Sequence, residues 1–186
     1  MSNIRAFLAL NTSKQAQSKI FDIQQSLAEI KSDIKWEPKE KFHITLKFLG
    51  DIEETILTKI TEELKHKLTN FGSFSVEYKS LGAFPNLKQA RIVWIAEQDK
   101  EKKAYGLNKT IEEMLKNYNF KDESNRFHPH ITLGRVKGIR GLKEVIELMQ
   151  QHEHESITDF VSEVCIMKST LTKSGSLFDV MDIIKL

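Results

Sequence analysis

The apolar run from Ile4 to Leu10 predicts a first strand. Thr12 and Ser13 then offer side-chain oxygens suited to capping a helix, and Ile20, Ile23, Leu27 and Ile30 recur at helical spacing, so a helix is expected to about Lys31. Trp36 and Pro38 fall in a loop or short extended piece. Phe42 to Leu49 reads as a strand closed by Gly50-Asp51, and Glu53 to Leu68 as a helix with Ile56, Ile60, Leu64 and Leu68 on one stripe. Two strands follow, Phe74 to Leu81 and Ala90 to Ala96, around a loop with Gly82, Pro85 and Asn86. The order then recurs. A helix is predicted from about Lys100 to Tyr118, with Leu107, Ile111, Met114 and Leu115 inward, then a strand from His128 to Val136 and a short helix from Gly141 to Gln151. Strands at Ile157 to Lys168 and Phe178 to Ile184 finish the chain, either side of a turn near Ser174-Gly175-Ser176. Short loops between interleaved strands and helices favour hairpins, so the expected class is α+β: a bilobal, pseudo-symmetric chain with two mostly antiparallel sheets facing a central cleft and helices outside. Residues 1–186 form a single such domain.

Within this order one tetrapeptide occurs twice, as His43-Ile44-Thr45-Leu46 and as His130-Ile131-Thr132-Leu133. Strand alternation puts His43, Thr45 and Lys47 on one face and Ile44, Leu46 and Phe48 on the other. In the second copy His128, His130, Thr132 and Gly134 share a face, against Ile131 and Leu133. If the polar faces meet, two imidazoles and two hydroxyls surround one small anion.

Composition narrows the setting. Hydrophobic residues make up 40% of the 186 and charged residues 29%, the balance of an ordinary globular protein. Net charge is only +2, so bulk electrostatics announce no general nucleic-acid binder. The single cysteine, Cys165, lies in the apolar run Val164-Cys165-Ile166-Met167 and reads as a buried thiol in a reducing compartment. The opening apolar run is too short for a signal peptide or a membrane span, so a cytoplasmic, membrane-free monomer is expected.

Two histidines, titrating near pH 6.5 when unperturbed, can divide acid–base work at neutral pH. One takes a proton from water and the other gives a proton to a leaving oxygen, each transfer contributing roughly 10²–10⁴-fold in rate. The threonine hydroxyls can donate to non-bridging phosphate oxygens. No metal or other cofactor is needed for this chemistry. A zinc site is the competing reading of paired histidines, but neither motif carries Cys, Asp or Glu on its polar face. A single His-x-Thr suits any amphipathic strand; the argument lies in the pair.

These residues resemble the LigT-like branch of the two-histidine (2H) phosphoesterases, similar to RNA 2′,3′-cyclic phosphodiesterases. The resemblance covers essentially the whole chain and includes Arg5 to Leu10, Phe42 to Gly50, Leu81-Gly82-Ala83-Phe84-Pro85, Arg91-Ile92-Val93-Trp94, Phe127 to Arg135 and Ser169 to Gly175. It implies a bilobal fold with the motifs across a cleft, and hydrolysis of a 2′,3′-cyclic phosphate on an RNA end or small nucleotide to a 2′-phosphate. It implies His43 as proton donor to the 3′ oxygen, His130 as proton acceptor from water, and Thr45 and Thr132 as phosphate ligands. Arg135 matches a substrate-contacting arginine, although strict alternation would turn it away from His130. Arg126 is a second candidate. Phe178 stands where relatives often carry tyrosine. Similar proteins were first noticed joining tRNA halves through a 2′–5′ linkage, so an RNA 2′–5′ ligase, or a non-catalytic RNA or nucleotide-binding module, is the alternative use of the cleft.

Other residues are weighed individually. Lys47 is a candidate phosphate ligand or a solvated strand lysine, and His128 an orienting neighbour of His130. Phe7 and Phe127 are candidate base-stacking aromatics, with core packing favoured for Phe7. His152 and His154 have metal-ligand spacing but no recognisable partners, His66 reads as surface, and Lys100, Lys102 and Lys103 as a solvated helix start.

Overall fold

The computed structural model describes residues 3–98, 101–152, 154–173 and 175–186. The element order is β1 (Asn3–Asn11), α1 (Lys14–Ala28), β2 (Ile34–Trp36), β3 (His43–Glu53), α2 (Glu54–Leu68), β4 (Phe74–Phe84), β5 (Ile92–Glu97), α3 (Lys103–Leu115), β6 (His130–Val136), α4 (Leu142–Gln151), β7 (Ile157–Val161), β8 (Glu163–Thr172) and β9 (Gly175–Lys185). Every strand pairing is antiparallel. The order across the sheet is β7-β4-β5-β6-β3-β1-β8-β9, with β2 beside β6. One lobe is thus β3-β1-β8-β9 and the other β7-β4-β5-β6. Their sheets join through one bridge between β3 and β6, Ile44 opposite Ile131. Beyond it the strands part, and β2 takes over the edge of β6 from Gly134 to Val136.

The helices cover one face of this sheet. Ser13 caps α1 as its pattern predicts, its Oγ accepting from Ala16 N–H at 3.2 Å. Ile20, Ile23 and Leu27 of α1, Leu57, Ile60, Leu64 and Leu68 of α2, and Leu107, Ile111 and Leu115 of α3 join Leu8, Leu10, Ile44 and Ile131 in one core. The opposite face of β1 carries a smaller cluster, Phe7, Ala9, Cys165 and Met167, with Phe178 packed on it. Cys165 is fully buried there, as expected, and burial pushes its thiol up to about 11.

One sequence expectation is corrected. Ile157 to Lys168 is not one strand but two, β7 and β8, separated at Ser162. They pair at opposite ends of the strand order. The buried residues Ile157, Asp159 and Val161 run into Val164 to Met167 without a turn signal, so periodicity alone cannot reveal the break. The lysine–acid run is described only from Glu101 onward: Asp99 and Lys100 lie outside the described residues, as do Glu153 and Ser174. Among the described residues, no helix is long and apolar enough to cross a membrane.

Candidate active site

The two motifs sit on neighbouring antiparallel strands. With Ile44 opposite Ile131, His43 comes level with Thr132 and Thr45 with His130, all on the face away from the helices. Alternation holds only this far. In the β1–β3 pair, Ala9 faces Thr45 but Leu8 faces Lys47, so Leu46 is an extra residue. In the β5–β6 pair, Trp94 faces Thr132 but Val93 faces Gly134, so Leu133 is the equivalent extra residue. Each motif therefore ends in a β-bulge at its leucine, and each bulge reverses the faces of the residues that follow.

Three expectations change for this reason. Lys47 is not on the histidine face. It points under the sheet, 5% exposed, with its ammonium 3.0 Å from Glu112 and 3.1 Å from Glu123, and donates to the Lys121 carbonyl at 2.7 Å. Phe48, expected inside, is 60% exposed and stacks near Phe7 on the cleft side. Arg135, which strict alternation turns away, is brought back to the side of His130 and bonds Glu37 Oε1 through Nε at 3.0 Å. The residue before Arg135 is Gly134, and a Cβ there would lie 2.7 Å from Ile34 Cγ2 and 2.9 Å from the Trp36 ring. Only glycine lets β2 pass at that distance.

Both bulges are held from below by a buried amide. Asn108 of α3 donates to the Leu46 carbonyl at 2.9 Å, and Gln24 of α1 donates to the Leu133 carbonyl at 2.8 Å. Each is 1% exposed. Gln24 also donates to the Glu37 carbonyl at 2.8 Å, while the Glu37 N–H donates to the Leu133 carbonyl at 2.8 Å. Sequence reasoning missed Gln24, Asn108 and Glu37. A signal existed for the first two: each is a polar residue set within an apolar helical stripe, next to Ile23 and to Leu107.

The imidazoles are aimed alike. His43 Nδ1 lies 2.7 Å from the Lys41 carbonyl, and His130 Nδ1 lies 2.6 Å from the His128 carbonyl. A carbonyl only accepts, so Nδ1 carries the proton and Nε2 is the working nitrogen in both rings. His43 Nε2 is 3.1 Å from Thr45 Oγ1. Aromatic walls enclose each ring. His43 packs against Phe7 and Phe178, with centroids 5.2 and 5.4 Å away. His130 packs edge-on to Phe84 at 4.8 Å, with Trp94 and His128 beyond. Trp94 lies so close over Gly82 that a Cβ there would clash with its ring.

Burial dominates the titration of both. It lowers His43 to about 4, against a raising effect of the Lys41 carbonyl; positive charge on His130 and Arg135 lowers it further, and Glu37 raises it. Burial also lowers His130, opposed by the His128 carbonyl and reinforced by the charge of His128. In the protein by itself both rings are neutral at pH 7, and an anion placed between them raises both.

The remaining candidates fall elsewhere. Phe7 is 1% exposed beneath His43, Phe48 and Phe178, so it supports the imidazole and has no free face for a base. Phe127 packs on Tyr105 of α3. Arg126 stands exposed on the 3₁₀ turn Ser124–Arg126, outside the side chains packed around either imidazole. His66 is exposed on α2. His152 and His154 have rings 5.5 Å apart, and among the described residues no group of three or more His, Cys, Asp or Glu could hold a metal ion.

Comparison with known proteins agrees with this doubled arrangement. The family model described as LigT-like phosphoesterase matches the chain twice, over residues 10–94 and 95–178. The chain is 29% identical over 184 residues to an RNA 2′,3′-cyclic phosphodiesterase of Methanothermobacter thermautotrophicus, covering 98% of this chain and 99% of that one. It is 32% identical over 184 residues to the protein of that name from Methanocaldococcus jannaschii, covering 96% and 98%. Among solved structures, TT0787 of Thermus thermophilus shares the fold with a TM-score of 0.78 at 20% identity over 98% of each chain. Escherichia coli LigT in apo form does so with a TM-score of 0.77 at 14% identity, over 100% of this chain and 99% of its own. Two successive family matches, one motif in each, place this chain in the LigT-like phosphoesterase family.

Proposed function

We propose that the cleft hydrolyses 2′,3′-cyclic phosphates on RNA ends or small nucleotides to 2′-phosphomonoesters. The observation that carries this reading is the pair of Nδ1-anchored imidazoles, each with a threonine hydroxyl, on one face of two adjoining strands. The names of the relatives at about 30% identity supply the substrate class.

In the proposed reaction the cyclic phosphate anion sits between the rings and raises their affinity for a proton. His130 Nε2 takes a proton from a water molecule as its oxygen bonds to phosphorus. The bond from phosphorus to O3′ breaks, and His43 Nε2–H delivers its proton to that oxygen. Thr45 and Thr132 donate to the non-bridging oxygens, and Arg135 adds positive charge where negative charge grows. The whole chain, 1–186, acts as one bilobal unit, and imidazolium and guanidinium supply the charge, without a metal.

The test is turnover of a nucleoside 2′,3′-cyclic phosphate in EDTA, followed by phosphorus NMR. Wild type should give the 2′-phosphate. His43→Ala and His130→Ala should each lose at least about 10²-fold in kcat. Undiminished turnover in either variant overturns the assignment, and binding without turnover, or joining of cyclic-phosphate and 5′-hydroxyl ends, overturns the hydrolytic reading.

A further inference from the structure

We propose that Glu37 is a positioning residue of this site, which holds Arg135 at the cleft and brings a compensating negative charge to His43. The proposal rests on the acid–base reading above and extends it to a residue outside the motifs. Glu37 lies between β2, which pairs with β6, and the strand β3 that carries His43. Its chain is pinned on both sides, by its own N–H on the Leu133 carbonyl and by Gln24 on its carbonyl. Its carboxylate is therefore delivered to one place. Oε1 accepts from Arg135 Nε at 3.0 Å, and Oε2 lies 4.0 Å from the Lys41 ammonium. The side chain is only 17% exposed, in contrast to 50% for Arg135.

Arginine presents five N–H donors in a planar fork. Holding Nε fixes the plane of the fork and leaves the two terminal nitrogens ahead of the ion pair. Lys41 extends the network to the other wall. Its carbonyl accepts a hydrogen bond from His43 Nδ1–H, its ammonium donates to the Ser176 carbonyl at 2.6 Å, and it lies over Phe178, which packs on His43. A single carboxylate thus connects the arginine of one lobe with the histidine anchor of the other.

The charge of Glu37 acts beside the aim. The charged groups that face His43 are His130 and Arg135 from β6 and Glu37, while Phe7 of β1 and Phe178 of β9 bring none. Arg135, and His130 whenever it is protonated, disfavour the imidazolium, and Glu37 is the acidic group that favours it. A general acid must hold its proton when the substrate is in place, so Glu37 offsets the cost of putting Arg135 beside that acid.

Three variants separate aim from charge. Glu37→Gln keeps an acceptor for Arg135 Nε but removes the charge, so kcat should fall about tenfold with KM within about twofold. The alkaline limb of the pH–rate profile should move to lower pH, and the proton-NMR midpoint of His43 in the substrate-free protein should drop by about half a unit or more. Glu37→Ala should also raise KM about tenfold, because Arg135 loses its acceptor. Glu37→Asp, which keeps the charge, should restore the wild-type limb. An unchanged His43 midpoint and unchanged limbs in Glu37→Gln overturn the proposal. If wild type turns over no cyclic phosphate, the proposed function fails while the His43 titration still decides the role of Glu37.

Discussion

At the scale of single residues, the two histidines owe their working state to the carbonyl two positions upstream and to the rings around them. The carbonyl fixes the tautomer; the rings remove water. For His43 the second effect is larger, and its folded-state pKa of about 4 lies below the unfolded value near 6.5. The unfolded chain therefore binds more protons in that interval, and stability rises with pH across it. The contribution is complete above pH 6.5 and is lost as pH falls toward about 4. Urea denaturation of wild type and His43→Gln should show a stability difference that shrinks by about 2–3 kcal/mol between pH 7 and pH 4. A constant difference would contradict the assigned burial effect. The identity of these histidines was legible in the sequence because the tetrapeptide repeats. Glu37 was not, since nothing in Trp36-Glu37-Pro38 announces that its carboxylate will meet an arginine 98 residues away.

At the scale of elements, the bulge decides what each strand offers. Period-two alternation places His43 and Thr45 correctly and fails from Leu46 onward, which is why it misplaces Lys47 in the cleft. The real setting of Lys47 is an ion-pair cluster between β3, α3 and the turn ahead of β6. Glu112 is 2% exposed there, so Lys47→Met leaves a buried carboxylate without its cation. The expected loss is about 3–5 kcal/mol in urea denaturation, largely recovered in the double variant with Glu112→Gln. The amide under the bulge has a different signature. Asn108→Leu keeps the branched outline of the side chain and strands the Leu46 carbonyl, at a cost of about 1–3 kcal/mol. It should lower kcat as well, because the bulge sets the angle of Thr45. Equal kcat in wild type and Asn108→Leu would show that the bulge holds without its amide. Helix positions were readable because their stripes are long; bulges were not, because a single inserted residue leaves no mark on composition.

At the scale of the whole molecule, the two halves exchange parts. β1 and β5 each pair with their own half's motif strand, yet β8 of the second half completes the lobe of β1, and β4 of the first completes the lobe of β5. The buried amides cross in the same way: α1 holds the second motif and α3 the first. The sequence disclosed the repeat and the α+β class, because motif and stripe recur in each half. It hid the split at Ser162, because neither the apolar pattern nor any glycine or proline marks the place where the chain passes from one end of the sheet to the other. The near-twofold relation also poses a question of handedness. A five-membered cyclic phosphate has two ester oxygens that differ little, and two imidazoles with two hydroxyls would seat it equally well either way round. Regiochemistry then rests on whatever breaks the symmetry. The bulges present Phe48 on one wall and Arg135 on the other at equivalent positions, an apolar–cationic mismatch that would give a ligand seated as proposed a front and a back.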